Sequence, residues 1–309
     1  MTLRAALLTF RIQRFEAIVV AGAAVLAVVV SAIVIALFTA GGYSRCATDE
    51  ALNQTPFCQA SIGVWLNRIA RLSVSIVPVF PVVGGLLVGG PIVARELESG
   101  TARLAWSLGP SRTRWFVQRA LPLLAMLFLA CLAVGLTADA LIHLMQPSIN
   151  IDASFVAFRA RGLLVAVEGL LVASVALALG AILGRTVPTI VLTLALVGAI
   201  GVAVDKVERQ LLTNEAVLGD QFSFSDENLF VEERLRMPDG ALVTWEQLNA
   251  LYPQYANGWD DTSGIKNVTL YIPGSRYHDV ERREALAVTG IAALFVAAAG
   301  VIVVRRRPR

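Results

Sequence analysis

Residues 95–119 contain Arg95-Glu96-Leu97-Glu98-Ser99-Gly100-Thr101, then Arg103-Leu104-Ala105-Trp106-Ser107-Leu108-Gly109-Pro110-Ser111-Arg112, with Trp115 and Arg119 just beyond. These residue types suit recognition and the transmission of force, not bond-breaking. Glu96 and Gly100 are four apart and share a helix face. Gly109-Pro110 makes a turn, and Ser111 is placed to cap a following helix. The spacing predicts a short helix over Thr101–Leu108 between two longer ones. A groove on another protein could take such a helix through Leu104, Trp106 and Leu108, with charges at the rim. The plain alternative is a basic loop that only fixes orientation. Two outward-facing tryptophans, Trp106 and Trp115, favour the docking helix, although tryptophan also belongs at membrane interfaces.

Other chemistry is sparse. The two histidines, His143 and His278, stand in no metal-ligand spacing. There is no Gly-x-Ser-x-Gly elbow and no His-Glu-x-x-His helix. The two lysines, Lys206 and Lys266, follow Asp205 and Ile265 instead of glycine, which excludes a phosphate-binding loop. Any work driven by ATP must come from another chain, so no cofactor and no metal is expected here. A lone carboxylate, Glu168, lies inside an apolar stretch, where a buried charge is costly and needs protein, water or a partner. It reads as a contact for a cationic or hydrogen-bonding substrate or a proton-sensitive gate, or as a carboxylate near the outer interface paired with Arg161 or a neighbouring helix. Cys46 and Cys58 share one loop, and an oxidising exterior would allow them to form a disulfide. Cys131 reads as a small packing residue.

The elements that must position these residues are membrane helices. The chain is 56% apolar and 16% charged, against about 25% charged in soluble domains. Charges are nearly absent from six windows, Ala17–Ala40, Leu72–Ala94, Ala120–Ala138, Gly162–Leu183, Thr186–Val204 and Ala285–Val304. Roughly 20 apolar residues cross a bilayer as a helix, and backbone groups in lipid must bond within their own segment. No alternating strand pattern argues for a β-barrel, and the first window is too long for a signal peptide. The expected fold is all-α and polytopic. It has six transmembrane helices and a small α+β external segment between the fifth and the sixth.

Charge sets the orientation. With the N-terminus inside, the inner segments carry 13 arginines against three acids, and residues 205–284 carry 15 acids against eight bases. Basic flanks face the cytoplasm, so both termini are expected there. The net charge of +3 is therefore a topology signal and not a sign of nucleic-acid binding. Residues 1–15, with Arg4, Arg11 and Arg14 on one side, read equally as an interfacial helix or a basic flank. Residues 16–204 hold five crossings, with 95–112 as their inward-facing element. Residues 205–284 form the external cap, with a strand over Asn267–Ile272 and helices over Thr244–Leu251 and Lys206–Leu218. Residues 285–309 hold the last crossing and a basic tail. In the second window, Pro78, Pro81, Gly84 and Gly85 read as a kink with close packing, or as the flexing wall of a conduit.

Glu96-x-x-x-Gly100-Thr101, followed by Ser111-Arg112-x-x-Trp115, resembles the inward-facing element of ABC-2 type permeases. These are the membrane subunits of bacterial ABC exporters with a G-subfamily-like fold. The six-span layout and the tight turn Gly184-Arg185-Thr186-Val187-Pro188 are similar too. The resemblance covers 1–205 and 285–309. It implies a permease of the bacterial cell membrane that pairs with itself or a sister permease and with two ATPase subunits, which bind the ATP and Mg. It further implies coupling to the ATPases through Glu96, Glu98, Gly100, Thr101, Leu104, Trp106 and Arg112. It also implies a substrate path beside the second and fifth helices, to which Pro78, Pro81, Gly84, Gly85 and Glu168 are assigned. The expected cargo is hydrophobic or amphipathic. The competing expectation is a membrane-anchored sensor or interaction protein acting through 205–284; a polytopic enzyme lacks the residues it would need.

Overall fold

In a computed structural model of the chain, the described residues are 13–43, 61–108, 111–220, 227–251 and 264–306. In chain order the elements are α1 (Arg14–Ala40), α2 (Ser61–Ile76), α3 (Val79–Glu98), α4 (Thr101–Leu108), α5 (Arg112–Met145), α6 (Gly162–Leu183) and α7 (Thr186–Glu215). Then follow β1 (Val217–Asp220), β2 (Leu229–Arg236), β3 (Leu242–Val243), α8 (Trp245–Leu251), β4 (Lys266–Ile272) and α9 (Tyr277–Arg305). Contacts divide the chain into two units, one of 1–148, 157–200 and 281–309, the other of 149–156 and 201–280.

Six helices among the described residues are long and apolar enough to cross a membrane: α1, α3, α5, α6, α7 and α9 with its preceding turn. The protein is a multi-pass membrane protein. In the helical unit, α6 is the central post. Its apolar window is 72% buried, against 11% for that of α7. A helix that is apolar on every side suits such a position. It packs most closely on α3, where side chains at Gly85 and Gly89 would overlap Val172 and the Ala173 backbone. Glycine there lets two backbones approach. Ile92, Val93, Leu123, Leu127, Val165 and Leu177 complete the core.

The second window departs from one continuous crossing. Helix α2 stops at Ile76, and α3 starts at Val79 with Pro78 as its cap. Pro81 stands in the first turn of α3, where a missing N–H breaks no helical bond. The crossing is therefore Val79–Glu98, displaced from the expected Leu72–Ala94. By contrast, α6 has the bounds expected, and α5, α7 and α9 run past their apolar windows.

The second unit holds an antiparallel sheet of order β1-β4-β2-β3. Leu235, Met237, Val243, Leu248 and Ile265 form its small core. The expected strand appears as β4. The expected helix appears as α8, capped reciprocally by Thr244 and Gln247 (3.2 and 3.0 Å). The helix expected over Lys206–Leu218 ends at Glu215, and Val217 and Leu218 open β1 instead. Strand β2 was not anticipated. Residues 1–12, including Arg4 and Arg11, and the pair Cys46 and Cys58 lie outside the described residues.

Candidate functional site

Helix α3 ends in a turn that only glycine takes without strain. The Ser99 N–H donates to the Arg95 carbonyl (2.9 Å) and the Gly100 N–H to that of Leu97 (3.3 Å). Gly100 has φ +75°, the left-handed conformation typical just past a helix end. The Ser99 and Thr101 hydroxyls lie 2.9 Å apart, and α4 begins at Thr101. On its far side, extended Ser111 accepts the Arg114 N–H at 3.2 Å and caps α5, as its sequence position indicates.

Around α4, charged side chains join the ends of the crossing helices. Arg95 pairs with Glu16 of α1 at 3.1 Å. Glu96 is buried and pairs with Arg119 of α5. The Glu98 carboxylate accepts the Thr186 backbone N–H (3.0 Å) and hydroxyl (2.9 Å), capping the first turn of α7. Arg112 donates to the Val304 and Arg306 carbonyls (3.0 and 2.6 Å) at the end of α9. Arg306 donates to the Ala181 carbonyl at the end of α6. A carboxylate at a helix start and guanidiniums at helix ends match the helix dipoles.

The tryptophans sit differently from their outward-facing reading. Trp106 stacks edge-on against Trp115, centroids 5.7 Å apart. Arg112 covers the Trp106 ring at 4.9 Å, and Arg119 covers Trp115 at 5.0 Å. Both rings pack on the core of the helical unit. Their large apolar faces gain more from this contact than from water, and the guanidiniums add cation–π attraction. Leu104 lies within α4, but its side chain is outside the described set, as is that of Leu108.

The residues assigned to a substrate path run from the α2–α3 break along α3 to α6, where Pro81 comes close to Gly169, the neighbour of Glu168 in sequence. Gly84 meets Leu127 of α5, Gly85 meets Val172 of α6, and Pro81 is buried, so these three serve close packing. Pro78 is exposed at the α2–α3 break. Glu168 is half-buried on α6, and no hydrogen bond or ion pair reaches it among the described residues. Arg161, expected beside Glu168, faces Asp139 at 3.8 Å instead. Arg159 pairs with Glu284 at 3.0 Å.

Sequence reasoning missed Glu16, Thr186 and Arg306 as members of the site. Thr186 carried a signal as a hydroxyl residue opening a helix. Arg306 was read only as a basic flank.

A family model described as ABC-2 membrane transporter related matches residues 17–209. The match runs from α1 through most of α7 and includes α4. No curated protein and no solved structure matches the chain.

Proposed function

This chain belongs to the ABC-2 membrane transporter related family, and on that premise we propose that it is the permease subunit of an exporter driven by a separate ATPase. The observation that carries the reading is the set of bonds around α4. Glu98 reaches α7, Glu96 reaches α5, and Arg95 reaches α1. Arg112 reaches α9, and Arg306 joins the end of α9 to α6. In this reading a push on α4 reaches the ends of α3 and α5 that flank it, and passes through these bonds to the other crossing helices. Coupling of this kind needs contiguous bonded elements with two arrangements.

In this reading α4 faces the cytoplasm of a bacterial cell and lies in a groove of the ATPase. Two ATPase subunits, holding ATP and Mg, serve two permeases, either two copies of this chain or this chain and a sister. Nucleotide-driven closure presses on α4. The Glu98 cap then carries the start of α7, the Glu96–Arg119 pair carries α5, and a hydrophobic or amphipathic cargo is released outward. Hydrolysis belongs to the partner.

The test is co-expression with the partner ATPase, followed by purification and reconstitution. The two should co-purify, with ATP turnover only in the complex. Gly100→Trp, strained at φ +75°, should leave turnover intact and lower transport per ATP severalfold. A functional assembly without an ATPase would end the reading. Unchanged transport per ATP in Gly100→Trp would remove α4 from it.

A further inference from the structure

A cavity of 330 Å³ lies in the helical unit between α1, α2, the start of α3 and α5. Small residues create it: Ala23 and Ala27 leave α1 without bulk where the chain breaks between α2 and α3. Phe80 and Thr137 line other sides. Towards the C-terminal end of α1, packed Val34, Ala70 and Leu141 lie next to it. In size it falls within the range of small-molecule sites.

The wall is apolar except for three hydroxyls, those of Ser31, Ser73 and Thr137, and no charged residue lines it. Thr137 already donates to the Val134 carbonyl at 2.7 Å. Ser31 is 3% exposed, and neither it nor Ser73 makes a hydrogen bond among the described residues. Ser31 stands 14 residues beyond Ala17, a rise of about 21 Å, deep within the crossing. Lipid tails offer no hydrogen-bonding group at that depth, so they would fill the space and leave these hydroxyls only their own helix carbonyls as partners. An ion would find no counter-charge.

We propose that this cavity binds a neutral, mainly aliphatic molecule carrying a hydroxyl or carbonyl group, which enters from the bilayer and pairs with Ser31 and Ser73. The site deepens the permease reading, on which its occupant's role as cargo rests. Binding itself requires no ATPase.

The experiment uses the full chain in lipid nanodiscs without an ATPase. The probe is a long-chain primary alcohol bearing a photoreactive diazirine. Labelling should saturate, map to α1 and α5, and be competed by the plain alcohol but not by the matching alkane or carboxylate. Ala27→Phe, which fills the cavity, should abolish saturable labelling. Ser31→Ala, a minimal change that keeps the fold, should weaken binding by about tenfold, the scale of one hydrogen bond in an apolar site. Labelling that rises without saturation, equal competition by the alkane, or unchanged affinity in Ser31→Ala would overturn the proposal. Each of those outcomes leaves the permease reading standing. A missing ATPase partner would leave the binding result standing.

Discussion

Glu96 and Glu98 are two residues apart on α3, and the structure gives them opposite surroundings. Glu96 is buried against Arg119, with side chains 11% and 17% exposed. Removing one partner of such a pair strands the other charge. Glu96→Ala is therefore expected to destabilise the chain by about 3–5 kcal/mol, seen as a lower thermal midpoint in detergent. Glu96→Leu combined with Arg119→Met should recover most of it, because an apolar pair of similar volume has no charge to strand. Glu98 is exposed, and its hydrogen bonds among the described residues go to Thr186 at the start of α7. Glu98→Ala should leave the midpoint nearly unchanged and reduce transport per ATP in the complex. A stable Glu96→Ala protein with impaired transport would leave the Glu96–Arg119 pair as a coupling contact without a structural share. The sequence placed both acids on one turn, but it could not tell them apart. The difference comes from Arg119 and Thr186, 23 and 88 positions away.

Elements were legible where local composition decides them. Six apolar windows announce six crossings because lipid leaves the backbone no other choice. The ends of α6 were legible too, since Gly184 takes the left-handed cap with φ 65°. The α2–α3 break was less so, because Pro78 and Pro81 are equally compatible with a kinked single helix. Strand β2 was hidden by Glu232, Glu233, Arg234 and Arg236, which mask an alternation that buries only Leu235. Glycines show the same limit. Gly84-Gly85 and Gly89-Gly90 announce close packing, but not which member makes it. Gly89 faces the Ala173 backbone, whereas Gly90 has only a distant Ile190 side chain (3.9 Å). Gly89→Val is expected to force α3 from α6 at a cost of about 1–3 kcal/mol or more, read as loss of monodisperse protein or a lower midpoint. Gly22 of α1 has nothing within 4 Å, so Gly22→Val is the matched control and should behave as wild type. Equal tolerance of both substitutions would show that α3 and α6 do not depend on backbone contact.

At the scale of the whole molecule, the charge asymmetry and the bonded helix ends make one claim about orientation. The arginines that bind helix ends, Arg95, Arg112, Arg119 and Arg306, all gather at the α4 end of the helical unit. They are also among the 13 bases that oppose three acids in the inner segments. With α4 on the inner side, the same residues would anchor the inner leaflet, where anionic lipid attracts them, and hold the helix ends to which a motor would attach. If α4 lay outside, both effects would be lost, because the outer surface offers neither inner-leaflet charge nor ATP. The charge pattern further expects residues 205–284 on the outer side. Cysteine labelling decides it, on a Cys46→Ser, Cys58→Ser background with Cys131 buried. Ser107→Cys, on exposed α4, should react with a membrane-impermeant maleimide only in broken cells. Glu246→Cys, on exposed α8, should react in intact ones. The reverse pattern would invert the protein and remove α4 from reach of any ATPase. Labelling of both sites in intact cells would mean an even number of crossings between α4 and α8, so that one of α5, α6 and α7 does not span the membrane.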